Sequence, residues 1–321
     1  MLIFRNLSSD FIDQMNDNCC VKSVSNSHFT QEPIVRRIIL FFGAYLLSTH
    51  MVIAQDTIRE TKNICQLNFH NCKIEDRKKE EIERGVRMML KIYKNVFDFD
   101  VSKNFQITFQ IFGDRKGYIK YRSENSGSSS GVGYYSVGKK EAVIGQYCDR
   151  CYCYIKTVYH EASHAILHEH LWHPKWLQEG IAEYFEMMEV YDDKVVIGFS
   201  PDRDKACQEW LEEGQLMPVN DLLTLSKSQF NKQNPKMRSL SWSFIYFLMS
   251  SKEGQSILKN LIWEMNQAAG AKPSIWNRLR FNLLYDNQEI IERAIPQGIE
   301  ALDQKWRAWI PQQREKQEFL F

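Results

Sequence analysis

The stretch His160-Glu161-Ala162-Ser163-His164 places two imidazoles four positions apart with a carboxylate beside the first. On a helix, positions i and i+4 share a face, so both rings can bind one cation. Glu161 can then orient and deprotonate a water whose pKa a zinc ion lowers toward ~7. Two protein ligands do not hold catalytic zinc, so a third is needed. His170 stands ten residues after His160, the spacing of an HExxHxxGxxH arrangement, in which glycine breaks the helix and swings a third His back. Here the glycine position is Leu167, a good helix former. The competing ligand is Glu179, on the next helical pattern, and a His₂Glu set is a known zinc donor set. Glu179 is the favoured third ligand.

Both motifs need helices that return beside one another. Apolar residues Ile155, Val158, Ala162, Ala165 and Ile166 predict a helix over about Ile155–His168 with a packed face opposite the imidazoles. Pro174 breaks the chain, and a second helix follows over Trp176–Met188, with Trp176, Ile181, Tyr184, Phe185 and Met188 facing inward. Upstream, Glu75–Phe97 repeats its apolar residues at helical spacing, and Phe105–Phe112 alternates as a strand. Lys116–Arg122 reads as a short helix and Ser123–Gly133 as a Ser/Gly-rich loop. A hairpin of Val132–Val137 and Glu141–Ile144 follows. Beyond residue 200 the patterns are almost all helical, strongest at Trp242–Met249 and Ile257–Met265. This order predicts an α+β fold, with a catalytic region over residues 55–200 and a helical region over 201–321.

The 321 residues hold 41 Lys+Arg against 40 Asp+Glu, so the near-zero balance gives no basic field for nucleic acid. At 44% hydrophobic the chain can build a core. Residues 1–54 read as an extension and a leader: Arg36-Arg37 precede the apolar run Ile38–Leu47, and Val52 and Ala54 suit a cut before Gln55. The expectation is export, to the exterior or to a periplasm or cell envelope. An uncleaved leader acting as an N-terminal membrane anchor is the alternative. Export would leave six cysteines, Cys65, Cys72, Cys148, Cys151, Cys153 and Cys207, an even count that favours disulfides. Cys65 and Cys72 could staple one loop. Cys148, Cys151 and Cys153 could instead form a thiolate knuckle, though no second CxxC completes it.

His160-Glu-Ala-Ser-His164 followed by Pro174-Lys-Trp-Leu-Gln-Glu179-Gly-Ile-Ala-Glu183-Tyr-Phe-Glu186 resembles the gluzincin metallopeptidases of the thermolysin and aminopeptidase type. Among these it is most similar to an uncharacterised bacterial family of exported, peptidase MA-like proteins that share the Trp-Leu-x-Glu-Gly-x-Ala-Glu-Tyr signature. The resemblance implies a zincin-like fold with one catalytic Zn²⁺ on His160, His164 and Glu179, and Glu161 as general base. It implies that Glu183 supports the first His, and that the strand Glu141–Ile144 is an edge that pairs with substrate backbone. Such sites also use a downstream Tyr or His to stabilise the oxyanion. Here the sequence ahead of Trp242 offers none, and Arg238 and Tyr246 are the candidates.

The expected activity is hydrolysis of peptide bonds in a peptide or protein substrate. Two other readings compete: a zinc-stabilised binding or scaffold protein without turnover, and hydrolysis of another amide such as a cell-wall cross-link. The intact Glu161 opposes the scaffold, because a structural site does not need that carboxylate.

Overall fold

The computed structural model describes residues 64–101, 103, 105–125, 131–145, 153–169, 173–269 and 287–321. The expected leader, Cys148, Cys151 and His170 lie outside the described residues.

The architecture is α+β, as the order of patterns predicts. Strand β1 (Cys65–His70) is followed by helix α1 (Asp76–Phe97), β2 (Ile107–Phe112), α2 (Arg115–Asn125), β3 (Gly133–Ser136) and β4 (Glu141–Ile144). The four strands form one sheet in the order β1-β2-β4-β3. β1, β2 and β4 run parallel, and β3 returns antiparallel on β4 with Gly133 opposite Ile144. β4 is therefore not the edge that the resemblance implies. Both of its backbone sides are already hydrogen-bonded, to β2 and to β3, so among the described residues the edges of this sheet are β1 and β3, and β3 is the one beside β4.

Helices α3 (Cys153–His168) and α4 (Lys175–Phe185) follow. α3 contacts β2, β3 and β4 and packs on α1. A Cβ on Gly85 would strike the Tyr159 ring, so the α1–α3 approach depends on that glycine. Tyr93 of α1 ties the layers together: its hydroxyl lies 2.9 Å from Ser163 Oγ, and its ring stacks on Phe185 of α4. The stacked rings are 5.6 Å apart.

The helix expected to reach Met188 stops at Phe185. Met188 instead opens β5 (Met188–Val190), which pairs with β6 (Lys194–Ile197). β7 (Gln317–Leu320), from the far end of the chain, completes this second sheet on the other side of β6. Strand pairs this short carry little periodicity of their own, and β7 interrupts what reads as a helical tail.

Between the two halves of that sheet run α5 (Pro201–Glu212), α6 (Val219–Thr224), α7 (Lys227–Lys232), α8 (Asn234–Met249), α9 (Lys252–Ala269), α10 (Asn287–Ala294) and α11 (Ile299–Trp309). α8 is the central one, with Trp242, Phe244, Ile245, Tyr246, Leu248 and Met249 all buried. Being apolar on every side, it fits only an interior position. α4 lies directly against it, and a Cβ on Gly180 would come within 2.8 Å of both the Ser241 carbonyl oxygen and Ile245 Cγ1. Because the first of these is backbone, it cannot swing aside. Gly180→Ala is expected to lower stability by about 1–3 kcal/mol through overpacking, despite a gain of about 1 kcal/mol in intrinsic helix propensity. Thermal unfolding measures this directly, and an unchanged or raised midpoint would show that the two helices can part without loss.

The disulfide expectation fails among the described residues. Cys65 and Cys207 are buried thiols, each pushed up to about 12 by burial, and Cys72 Sγ lies 3.6 Å from the Ile111 carbonyl. Cys65 opens a strand that ends at His70, so the chain between Cys65 and Cys72 is extended over roughly 17 Å, at ~3.3 Å per residue. A bridge needs Cα atoms about 4.4–6.8 Å apart. The side chain of Cys153 lies outside what is described. Among the described residues, no helix is long and apolar enough to cross a membrane.

Candidate metal centre

Helix α3 presents His160, Glu161 and His164, and the start of α4 brings Glu179 against them. The Nε2 atoms of His160 and His164 are 3.2 Å apart. Glu179 Oε2 lies 3.7 Å from the first and its Oε1 lies 3.7 Å from the second. Donors about 2.0–2.1 Å from a tetrahedral zinc lie ~3.3 Å from one another. The two imidazole nitrogens and the two oxygens of the one carboxylate therefore already lie close to the separation that a single such ion demands. The set of two imidazoles and one carboxylate fits zinc chemically as well as geometrically.

Burial sets the protonation that a metal needs. His160 is lowered to about 4 by burial, against the pull of Glu161, and His164 is held well below its ordinary value by the same cause. Both rings are thus neutral at neutral pH and keep a lone pair for a cation. Burial opposes ionisation of Glu179, but its neighbours His164, Arg238 and Lys175 override it and hold the carboxyl well below its usual range. Glu161 behaves differently. It is buried beside His160 and is raised to about 7, chiefly by desolvation. A carboxylate near neutrality is suited to taking and returning a proton.

The edge strand passes directly over this base. A Cβ on Gly133 would come within 2.5 Å of Thr157 Cγ2 and 3.0 Å of Glu161 Oε1. Glycine there lets one face of β3 approach the carboxylate. The sequence marks Gly133 only as the place where a loop passes into a hairpin strand.

Glu183 does not take the role that the resemblance implies. It is fully buried and ion-paired with Arg203 of α5 and Arg238 of α8. The carboxylate in contact with His160 is Glu186, whose Oε1 lies 2.7 Å from Nδ1. Glu186 is just past the end of α4 and seven residues after Glu179, so two helical turns place both on the face toward α3. That spacing is the sequence signal that would have found it. Arg203 Nη2 lies 3.3 Å from Glu186 Oε2, so the arginine that pairs with Glu183 also touches the carboxylate behind His160. Glu186→Gln should weaken zinc binding by roughly 10–100-fold, the usual cost of losing a partner behind a ligand imidazole. Chelator competition on Glu186→Gln and Glu183→Gln separates the two roles, and a larger loss for Glu183→Gln would return the supporting role to that residue.

Of the two oxyanion candidates, the fold brings one to the centre. Arg238 Nε lies 3.6 Å from Glu179 Oε2. Tyr246, two turns further along α8, points instead toward the second sheet. Its hydroxyl donates to the Glu315 carbonyl at 2.8 Å and lies 3.3 Å from that of Ile197. A helix that is buried all round sends residues eight apart to different surroundings, and Tyr246 serves as a core strut.

Residues 154–273 match the family described as "Protein of unknown function (DUF1570)". No curated protein matches the chain. The matched segment runs from α3 through the whole of α9 and contains His160, Glu161, His164, Glu179, Glu183, Glu186, Arg203 and Arg238. The part of the chain that is similar to that family is therefore the part that builds this buried His/Glu cluster.

Proposed function

We propose that the protein is a zinc-dependent peptidase of the gluzincin kind, with His160, His164 and Glu179 as ligands. The observation that carries this reading is the position of Glu161. A buried carboxylate near pH 7 adjoins a three-residue donor set and lies against Gly133 of an edge strand. Zinc in this set would supply Lewis acidity toward a carbonyl group and toward a water. The chain supplies the rest. As an edge strand, β3 would hold a peptide as an added strand, with its bond in reach of Glu161. Glu161 would take the proton of the attacking water and return it to the leaving amine nitrogen. Burial excludes competing water from the imidazoles, and Glu186 holds the His160 ring in orientation. Arg238 is the group placed to stabilise charge on the carbonyl oxygen. Export to the cell surface or envelope, by way of the leader, belongs to the same proposal.

The scaffold reading keeps one observation in its favour: Tyr246 is committed to backbone carbonyls and is not available to an oxyanion. A library of peptides incubated with the protein distinguishes the two. Cleavage that a chelator stops and added Zn²⁺ restores is the expected result, and no chelator-sensitive cleavage would leave the scaffold.

A further inference from the structure

We infer that Lys175 and Arg238 make this centre selective for peptides that carry a carboxylate next to the cleaved bond, an inference that rests on the peptidase reading. The two cations bracket Glu179 from different elements. Lys175, the first residue of α4, lies one turn before Glu179, and its ammonium pairs with Oε1. Arg238 arrives from α8, close to Oε2.

Exposure divides the charged groups of the cluster by sign. Side chains of Glu179, Glu183 and Glu186 are 8%, 0% and 18% exposed, whereas those of Lys175, Arg203 and Arg238 are 27%, 24% and 32% exposed. The acids form the floor and the cations form the rim. A ligand entering from solvent therefore meets positive charge first. A divalent ion held by Glu179 adds positive charge to a cluster whose more exposed members are already cations. Once Glu179 shares its charge with such an ion, the Lys175 ammonium is left under-neutralised at the mouth of the site. An incoming carboxylate is the group that restores neutrality, and partial burial strengthens that contact relative to one in open water.

The competing explanation is that the cations only neutralise the buried acids, and binding distinguishes the two. Neutral peptides would be compared with versions carrying Glu or Gln at each position flanking the bond, and with versions ending in a free or an amidated C-terminus. Fluorescence anisotropy on zinc-loaded full-length Glu161→Gln protein gives affinities without turnover, and the wild type gives cleavage. A charge-assisted contact of this kind should yield about a tenfold preference for the carboxylate form. High salt and an added Lys175→Gln substitution should each shrink that preference, and Lys175→Arg should restore it, at equal zinc content and unchanged melting. The Glu/Gln and free/amidated series tell a side-chain carboxylate from a terminal one. Equal binding of charged and neutral forms, no binding of any peptide, or a preference untouched by Lys175→Gln would overturn the inference. A clear preference in binding without cleavage by the wild type would uphold it and retire the peptidase reading instead.

Discussion

Glu161→Gln is expected to fold, to bind zinc as the wild type does, and to lose hydrolysis by about 10²–10⁴-fold, the usual contribution of a general base. The amide is nearly isosteric with the acid, so the packing against Gly133 is retained. It cannot accept the water proton, and it does not ligate through the donor set formed by His160, His164 and Glu179. The comparison must be made at equal zinc loading, so that a change in rate cannot be a change in metal content. Equal activity of the two proteins would sink the mechanism even if the zinc site were real.

The second large effect concerns the metal. Glu179→Ala should reduce zinc affinity by more than the ~10–100-fold that loss of a supporting partner costs, because it removes one of three donors. It also leaves Lys175 and Arg238 without the carboxylate that both approach. His160→Ala and His164→Ala should be comparably severe. Metal content after dialysis against a weak chelator reads the difference. If Glu179→Ala kept its zinc while His170→Ala lost it, the third ligand would be the other candidate of the sequence.

Glu186 illustrates how the site depends on tertiary structure. Three glutamates, at positions 179, 183 and 186, share one face of α4 and its end, and the sequence alone cannot say which touches what. Partners decided it. Arg203 and Arg238 come from helices α5 and α8, far along the chain, and they draw Glu183 to themselves. Glu186 is then the carboxylate at Nδ1 of His160, while Glu179 faces its Nε2. The same dependence explains Tyr246, whose hydroxyl finds backbone carbonyls from the second sheet and the segment before β7. It also explains β3, since which strand of a hairpin is the edge depends on where β2 pairs.

The local determinants were legible because they act within a few residues. The i, i+4 imidazoles, the adjacent Glu161 and the break at Pro174 are all set by helical period and by proline. So are the amphipathic α1, the strand β2 and the helices α3 and α4, whose apolar spacing is strong. The Glu179 assignment was nearly local, needing only that two neighbouring helices return side by side. Long-range pairing had no such signature. The sheet of β5, β6 and β7 joins segments more than a hundred residues apart through strands of three or four residues. The free thiol of Cys65 followed from an extended strand that the even cysteine count could not reveal. Sequence determined which groups could do chemistry, because helical spacing fixes neighbours on one face. Tertiary structure decided which carboxylate stands at Nδ1 of His160, which strand of the hairpin ends the sheet, and which arginines reach the cluster. Those outcomes depend on contacts between elements distant in the chain, and burial, not spacing, sets their charge.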